Sequence, residues 1–322
     1  MITRRTFLAN SAIAAASVVA SRRLLLAAQP SQTAPEASQR TTLLQSMRAS
    51  AAVAKIHVKK ITDTIFLLQS VGANVVAFAG PDGKLLIDSG MATGTSHLLD
   101  TLSHLAPHPV RLLTNTSWLF DHTDGNAAIH AAGAFILGQE NIRLRLAGPR
   151  QIPAFNLELP AASASALPQE TFRNRETLYI NNDQLDLVHA PNASTNSDVF
   201  IHFVNANVIH AGELWFNADY PFIETTSGGT INGMIQGVDR VLSLADDHTK
   251  IIPSHGKFGS KADLAAYREM LTTYANRIEK LKIAGQSIHQ IEAAGVTAEL
   301  DSQWSHGAMS SPLFLAAVYN TL

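Results

Sequence analysis

The feature that most constrains the fold is a succession of strands and then helices that occurs twice along the chain. The first set contains TIFLLQ, NVVAFA and KLLIDS between residues 64 and 89, followed by the amphipathic segment TSHLLDTLSHL. The second set contains TLYIN, QLDLVHA, VFIHFV and NVIHA, followed by helical patterns over about 230–244 and 261–282. Apolar β-branched runs predict strands, and a 3.6-residue period predicts helices. Two β-rich halves, each covered by helices, predict an α+β layered sandwich with one core.

The N-terminus is typical of an export signal rather than of a folded domain. Arg4 and Arg5 precede an alanine-rich apolar run that reaches Ala20. This pattern resembles a twin-arginine signal and predicts a periplasmic or exported protein. The run is shorter than the ~20 residues that a membrane-spanning helix needs, so no stable span is expected after signal cleavage. A chance Arg-Arg pair in a cytoplasmic protein and an uncleaved anchor are the alternatives.

The composition divides the chain into three parts. Residues 1–28 form the predicted signal, and residues 29–54 are rich in Ala, Ser, Thr and Gln, which predicts a linker with a short helix near 42–52. Residues 55–322 form the predicted domain. The formal net charge of −2 gives no attraction for nucleic acid, so a small-molecule substrate or ligand is the expected partner.

The chain has no cysteine, which excludes disulfides, a thiolate nucleophile and zinc sites built on sulfur. A metal site would therefore need nitrogen and oxygen ligands. The segment TNTSWLFDHTDGN, residues 114–126, follows a predicted strand and places Asp121 beside His122. Adjacent carboxylate and imidazole groups in a loop indicate a candidate metal site.

Five segments in this order resemble the metallo-β-lactamase superfamily over residues 58–322. They are GANVVAFAGPDGKLLIDSG, the segment of residues 114–126 (the Asp-His loop), HAPNAS, HAGELWFN and IIPSHG. The resemblance implies a four-layer αββα sandwich with metal ions at one edge, between the two sheets.

The resemblance also implies a ligand set, of which one half is missing. The family pattern in the loop is His-x-His-x-Asp-His, and Ser117 and Leu119 replace its first two histidines. Ser194 stands at the position of the third histidine of the first metal. A leucine side chain cannot coordinate zinc and serine hydroxyls are poor ligands at neutral pH, so a two-metal site is not expected.

The ligands of the second metal are retained in this comparison. Asp121, His122 and His255 match the family positions, and Glu213 replaces the bridging aspartate. Two imidazoles with one or two carboxylates suit one Zn²⁺, or Fe²⁺ or Mn²⁺. The prediction is therefore a single metal ion or none.

Two functions follow from this incomplete site. In the first, the protein is a pseudoenzyme, a ligand-binding remnant of a metallohydrolase, because half of a two-metal site loses the geometry of its nucleophile. In the second, it is a mononuclear hydrolase of small esters, lactones, lactams or thioesters. Asp121 would then be a ligand and, on leaving the ion, the catalytic proton acceptor.

Structural explanations compete with the metal site. Asp121 and His122 could cap the following helix, and His255 could bond to the backbone at the end of a strand. A serine hydrolase using Ser117 or Ser194 is a third possibility, although the chain contains no G-x-S-x-G motif.

Overall fold

The computed structural model describes residues 42–307 and 309–322. The predicted export signal, with Arg4 and Arg5, lies outside the described residues, as does the first half of the predicted linker, residues 29–41.

The first half of the chain forms a seven-stranded sheet and its helices. Its elements are α1 (Leu43–Ala51), β1 (His57–Lys60), β2 (Ile65–Gln69), β3 (Val75–Gly80), β4 (Gly83–Ile87), α2 (Thr95–Leu105), β5 (Val110–Thr114), α3 (Phe120–Thr123), α4 (Asn126–Ala131), β6 (Phe135–Gln139), α5 (Glu140–Leu146), β7 (Arg150–Ile152), β8 (Leu157–Leu159) and β9 (Glu170–Phe172). The sheet has the order β1-β2-β3-β4-β5-β6-β9, and β7 and β8 form a separate hairpin.

The second half forms a five-stranded sheet with the order β10-β11-β12-β13-β14. Its elements are β10 (Arg175–Ile180), β11 (Asp183–His189), β12 (Val199–Phe203), β13 (Val208–Phe216), α6 (Ile231–Leu244), β14 (Lys250–His255), α7 (Lys261–Ile283), α8 (Ile288–Ala293), α9 (Ala298–Trp304) and α10 (Ser311–Thr321). The strands and long helices predicted from the sequence are thus found at the predicted places. In the part of the chain that the structure describes, no helix combines the length and the apolar character that crossing a bilayer requires.

Three apolar clusters show how the layers stack. One cluster joins the facing sides of the two sheets and includes Phe78 from the first and Phe203 from the second, whose rings meet edge to face at 5.3 Å. A second cluster packs α2 and α4 on the outer side of the first sheet. The third packs α6, α7 and α10 on the outer side of the second sheet. The order helix, sheet, sheet, helix confirms the predicted αββα sandwich.

The helix α1 belongs to this sandwich although the composition places it in the linker. A capping box of Thr42 and Gln45 starts the helix. Leu44 and Ala51 are buried in the cluster that covers the second sheet. Arg48 donates from Nε to Asp124 Oδ2 at 2.9 Å. The folded unit therefore begins before residue 55, because burial of one helix face gives α1 the stability that its short sequence lacks.

Parallel strand pairs bring the candidate residues to one edge of the sandwich. In the first sheet β4, β5 and β6 are parallel, and in the second sheet β13 and β14 are parallel. The carboxyl ends of parallel neighbours lie at the same edge of a sheet. Asn74 joins the two sheets at this edge, since its backbone N–H donates to Ser254 O at 2.7 Å.

Candidate functional site

The Asp-His loop is held in place by polar side chains around the backbone of His122. The carbonyl oxygen of His122 accepts hydrogen bonds from Asn115 Nδ2 and from the backbone N–H of Ser89, both at 2.9 Å. Thr123 Oγ1 donates to the carbonyl of Leu119 at 3.1 Å. These bonds close the loop into the single turn α3, so Asp121 and His122 face the space between the sheets.

The helix-cap explanation for Asp121 and His122 is wrong. The residue before α3 is Leu119 and the residue before α4 is Gly125, and neither helix has a side-chain cap. Both side chains point elsewhere, towards carboxylate and imidazole partners.

The imidazole of His122 lies between two buried carboxylates. Its Nδ1 is 2.9 Å from Asp88 Oδ2, and its Nε2 is 2.9 Å from Glu213 Oε1. Asp88 is fixed in turn by Thr116, whose backbone N–H donates at 2.8 Å and whose hydroxyl donates at 2.6 Å. An imidazole with a carboxylate at each nitrogen is best satisfied as a cation, because only the cation donates from both nitrogens.

The neighbouring charges and hydrogen bonds shift the pKa values of His122 and Glu213. Burial lowers the pKa of His122, but the charges of Asp88 and Asp121 and the hydrogen bonds to Asp88 and Glu213 outweigh it and raise that pKa well above its ordinary value. Burial acts in the opposite direction on Glu213, but His122 and His255 outweigh it and hold the pKa of Glu213 below its ordinary value. Both shifts favour an ion pair.

His255, at the end of β14, completes a polar cluster, called the cluster below, with Asp88, Asp121, His122 and Glu213. Its Nε2 lies 3.4 Å from Asp121 Oδ2 and 3.6 Å from Glu213 Oε1, and its ring stacks on Phe216 with centroids 4.9 Å apart. Burial lowers the pKa of His255, but the Asp121 and Glu213 carboxylates outweigh it and raise that pKa to about 9. The side chain of His255 contacts carboxylates, so the alternative of a backbone-bonded histidine is wrong as well.

The predicted second-metal residues thus come together in the structure. Asp121, His122 and His255 each offer a ligand atom, and these atoms all lie within 4.8 Å of one another. Two imidazole nitrogens and a carboxylate oxygen are a suitable donor set for zinc. These residues therefore form a possible metal site and fit a single ion. Glu213 competes with such an ion for His122, because its carboxylate already bonds to Nε2, the nitrogen that Asp88 leaves free.

The three positions assigned to the first metal have other contacts. Ser117 and Ser194 are fully buried, and Leu119 is nearly so. Ser117 Oγ donates to Asp198 Oδ1 at 3.0 Å, and Ser194 Oγ donates to the carbonyl of Phe222 at 2.7 Å. Among the described residues neither hydroxyl bonds to a histidine, which argues against the serine hydrolase.

Two carboxylates that support the site were missed by the sequence analysis. Asp88 follows directly after the buried strand β4, and a charged residue that follows KLLI was the available signal. Asp198 is buried beneath Ser117 and accepts a hydrogen bond from the Thr195 backbone N–H at 2.6 Å. Burial raises the pKa of Asp198 to about 7, although the bonds from Thr195 and Ser117 act against the rise.

A cavity of about 280 Å³ opens beside the cluster. It lies between α1, the Asp-His loop and the C-terminal segment that contains Gly307 and Met309. Five aromatic side chains line it: Phe120, Phe155, Phe216, Tyr220 and Phe222. Its aliphatic residues are Leu43, Met47, Leu119 and Met309. Its titratable residues are Asp121, Glu213, Asp219 and His255. An apolar concave site with a few convergent polar groups is the usual form of a small-molecule site.

Comparison with known proteins identifies the fold through structure alone. The sequence matches no protein-family model, and no curated protein is significantly similar to it in sequence. A metallo-β-lactamase from Pontibacter korlensis is similar in structure with a TM-score of 0.57 and 19% identity, over 68% of this chain and 99% of that protein. The DIM-1 metallo-β-lactamase is similar with a TM-score of 0.55 and 17% identity, over 68% of this chain and 98% of that protein.

A larger share of the chain matches a different enzyme. The stereoselective inverting sec-alkylsulfatase Pisa1 from Pseudomonas sp. has a TM-score of 0.62 and 19% identity over 86% of this chain. The chain spans about half of that enzyme, since the match covers 51% of it. Together with the αββα layering and the position of the cluster at the sheet edge, these similarities show that the chain has the metallo-β-lactamase fold.

Proposed function

We propose that this protein binds a small molecule in the cavity beside the cluster and does not perform two-metal hydrolysis. The observation that carries the proposal is the 2.9 Å contact between Glu213 Oε1 and His122 Nε2. Glutamate is one methylene longer than the aspartate expected at this position. Its carboxylate therefore bonds directly to the imidazole nitrogen that would otherwise bind a metal ion.

The first-metal positions support this proposal. Leu119 contributes hydrocarbon to the wall of the cavity. Ser117 and Ser194 use their hydroxyls in hydrogen bonds to Asp198 and to the Phe222 carbonyl. A second ion on this side would have no imidazole, and a two-metal site holds both the attacking and the leaving oxygen with its ions.

The hydrogen bonding of the cluster also supports it. Among the described residues, the fully buried polar side-chain atoms without a partner lie elsewhere, on Thr114, His210, Trp215, Tyr267 and Tyr274. Within the cluster, the His122 imidazole is hydrogen-bonded at both nitrogens by Asp88 and Glu213. A buried polar group that is satisfied in this way is stable without a metal ion.

A mononuclear hydrolase is the second candidate, favoured by the 4.8 Å grouping of Asp121, His122 and His255. An ion held there supplies Lewis-acid polarisation of a substrate carbonyl. The chain's own contribution is a cavity that excludes water from an apolar substrate, and the Asp121 carboxylate at its floor as a proton acceptor. In this candidate Glu213 gives up its bond to His122 Nε2.

Metal content together with ligand binding tests the two candidates. The mature protein is produced with added zinc, iron and manganese, and its metal is measured by mass spectrometry beside its melting temperature with and without chelator. The proposal expects no stoichiometric metal, no loss of melting temperature in chelator, and binding of the neutral dye N-phenyl-naphthylamine. A stoichiometric ion that disappears in His255→Ala, with ester hydrolysis that disappears with it, overturns the proposal in favour of the hydrolase.

Glu213→Asp is the matched variant. It keeps the charge and shortens the side chain by one methylene, which withdraws the carboxylate from His122 Nε2. An increase in bound metal in this variant over the parent supports the assignment of Glu213 as the group that takes the place of the ion. An equal metal content in both proteins contradicts that assignment.

A further inference from the structure

We propose that the ligand of this cavity is a small apolar amine, bound as its ammonium ion with the nitrogen at Asp121 and the hydrocarbon part among the aromatic rings. This inference rests on the proposed function and names the chemical class of its ligand.

Asp121 provides the first argument. The residue is 8% exposed and lines the cavity. Within residues 42–307 and 309–322 its carboxylate oxygens receive no hydrogen bond, and their contact with His255 Nε2, at 3.4 Å, is longer than a good N–H···O bond. A carboxylate has about four lone-pair sites for hydrogen bonds, and this one long ion-pair contact leaves most of them unused. Asp121 can therefore accept hydrogen bonds from a donor in the cavity.

The charge at this end of the cavity provides the second argument. The titratable side chains that line it are three carboxylates and one imidazole, and no lysine or arginine is among its described lining residues. Behind them, Asp88 and His122 add one carboxylate and one imidazole. Even with both imidazoles protonated, the carboxylates outnumber them by two. An anionic ligand is repelled here and a cationic ligand is attracted, and the low dielectric of a buried site strengthens both effects.

The aromatic lining provides the third argument. Five aromatic side chains surround a cavity of about 280 Å³. The face of an aromatic ring attracts a cation, and rings also bury hydrocarbon well. A molecule with an apolar body and an ammonium group can contact the aromatic rings and the Asp121 carboxylate at the same time. Because an ammonium ion donates N–H bonds, a primary amine suits the Asp121 carboxylate better than a quaternary ammonium does.

Four probes with the same hydrocarbon chain test the head group by isothermal titration calorimetry. They are octylamine, octanol, octanoate and octyltrimethylammonium, each used below its micelle concentration, at neutral pH and in chelator so that no metal contributes. An alkyl amine is charged at this pH, as a lysine side chain is. Octylamine is expected to bind roughly tenfold to a hundredfold more tightly than octanol, the range of one charge-assisted hydrogen bond. Octyltrimethylammonium is expected to be weaker than octylamine, and octanoate weakest.

Two variants and one control connect the preference to the carboxylates. Asp121→Asn is expected to remove most of the preference for octylamine over octanol and to leave octanol binding nearly unchanged. Asp219→Asn serves as the second variant if Asp121→Asn does not fold, and is expected to reduce the preference in the same direction. Asp63→Asn removes a carboxylate that is 94% exposed and does not line the cavity, and is expected to have no effect.

The outcomes separate this inference from the proposed function. If all four probes bind equally, or octanoate binds as tightly as octylamine, the cavity is a binding site and the amine assignment is overturned. An unchanged preference in both Asp121→Asn and Asp219→Asn also overturns it, and so does octyltrimethylammonium binding as tightly as octylamine. If none of the probes binds, the proposed function itself fails.

Discussion

Glu213 and His122, which lie 91 positions apart in the sequence, share a hydrogen bond of 2.9 Å at the centre of the sandwich edge. On the other side of the same imidazole, Asp88 Oδ2 lies 2.9 Å from Nδ1. All three side chains are at most 1% exposed. The candidate site is thus built around a buried network of imidazole and carboxylate groups, and we propose that its stability depends on this contact.

We expect Glu213→Leu to destabilise the fold by about 3–5 kcal/mol, because it leaves the His122 imidazole with an unpaired nitrogen in a buried site. Glu213→Gln keeps a hydrogen-bonding oxygen and should cost less. Urea unfolding of both variants measures the change. Asp239→Asn breaks the exposed pair with Arg268 and is the control, with an expected cost of about 0–1 kcal/mol. Equal costs for Glu213→Leu and the control would contradict the role of the network.

Stability in chelator should fall as the pH rises above neutrality. The pKa of His255 is raised from its ordinary value of 6.5 to about 9, so its contribution is complete below about pH 6.5 and is lost as the pH rises to about 9. The raised pKa of His122 acts in the same direction. The pKa of Glu213 is lowered from 4.5, so its contribution is complete above that pH and is lost in acid.

Urea unfolding across this range of pH, for the parent and for His255→Asn, checks the prediction. The variant should show a flatter decline in the free energy of unfolding between about pH 6.5 and 9, because it lacks the titrating group. Identical slopes in the two proteins would show that His255 is not paired with the carboxylates.

The triple variant Ser117→His, Leu119→His and Ser194→His should bind an additional metal ion. It restores the three imidazoles that the family pattern places at the first metal, at the cost of the hydrogen bonds that Ser117 and Ser194 make. Metal analysis and hydrolysis of nitrocefin and p-nitrophenyl esters measure the result, with circular dichroism to establish folding. A folded triple variant that holds no more metal than the parent would show that the positional assignment is wrong.

A protein that begins at Lys55 should be less stable than one that begins at Thr41, because it lacks α1. The helix buries Leu44 and pairs Arg48 with Asp124, and burial of one leucine side chain is worth about 1.5–3 kcal/mol. Thermal unfolding of the two proteins measures the difference. Leu44→Ala in the longer protein should reproduce part of the loss, whereas Val53→Ala, at a site that is 82% exposed, should not.

We propose that the protein is exported, and replacement of Arg4 and Arg5 by lysine should retain it in the cytoplasm. The twin-arginine translocase reads the arginine pair, and a lysine pair keeps the charge but not the signal. Fractionation of cells that produce the parent or the variant measures the location. Replacement of Arg22 and Arg23 by lysine is the control, since that basic pair lies beyond the apolar run. Export of both variants would point to a different route.

The sequence by itself determined the order of strands and helices, because hydrophobic periodicity and turn residues act locally. It also determined which side chains occupy the positions that the family resemblance assigns to metal ligands. These are a hydrocarbon at Leu119, hydroxyls at Ser117 and Ser194, and imidazoles at His122 and His255. Donor chemistry belongs to the residue type, so the prediction against a two-metal site needs no coordinates.

Only the tertiary structure decided what those donors contact. Asp88 lies 34 positions from His122, and no local pattern links the two. The cavity is walled by α1, the Asp-His loop and the C-terminal segment, which meet only once the sheets have stacked. Contacts between distant positions depend on the packing of the whole core. For this reason the hydrogen bond between Glu213 and His122, and the position of the Asp121 carboxylate in the cavity, could be found only in the folded chain.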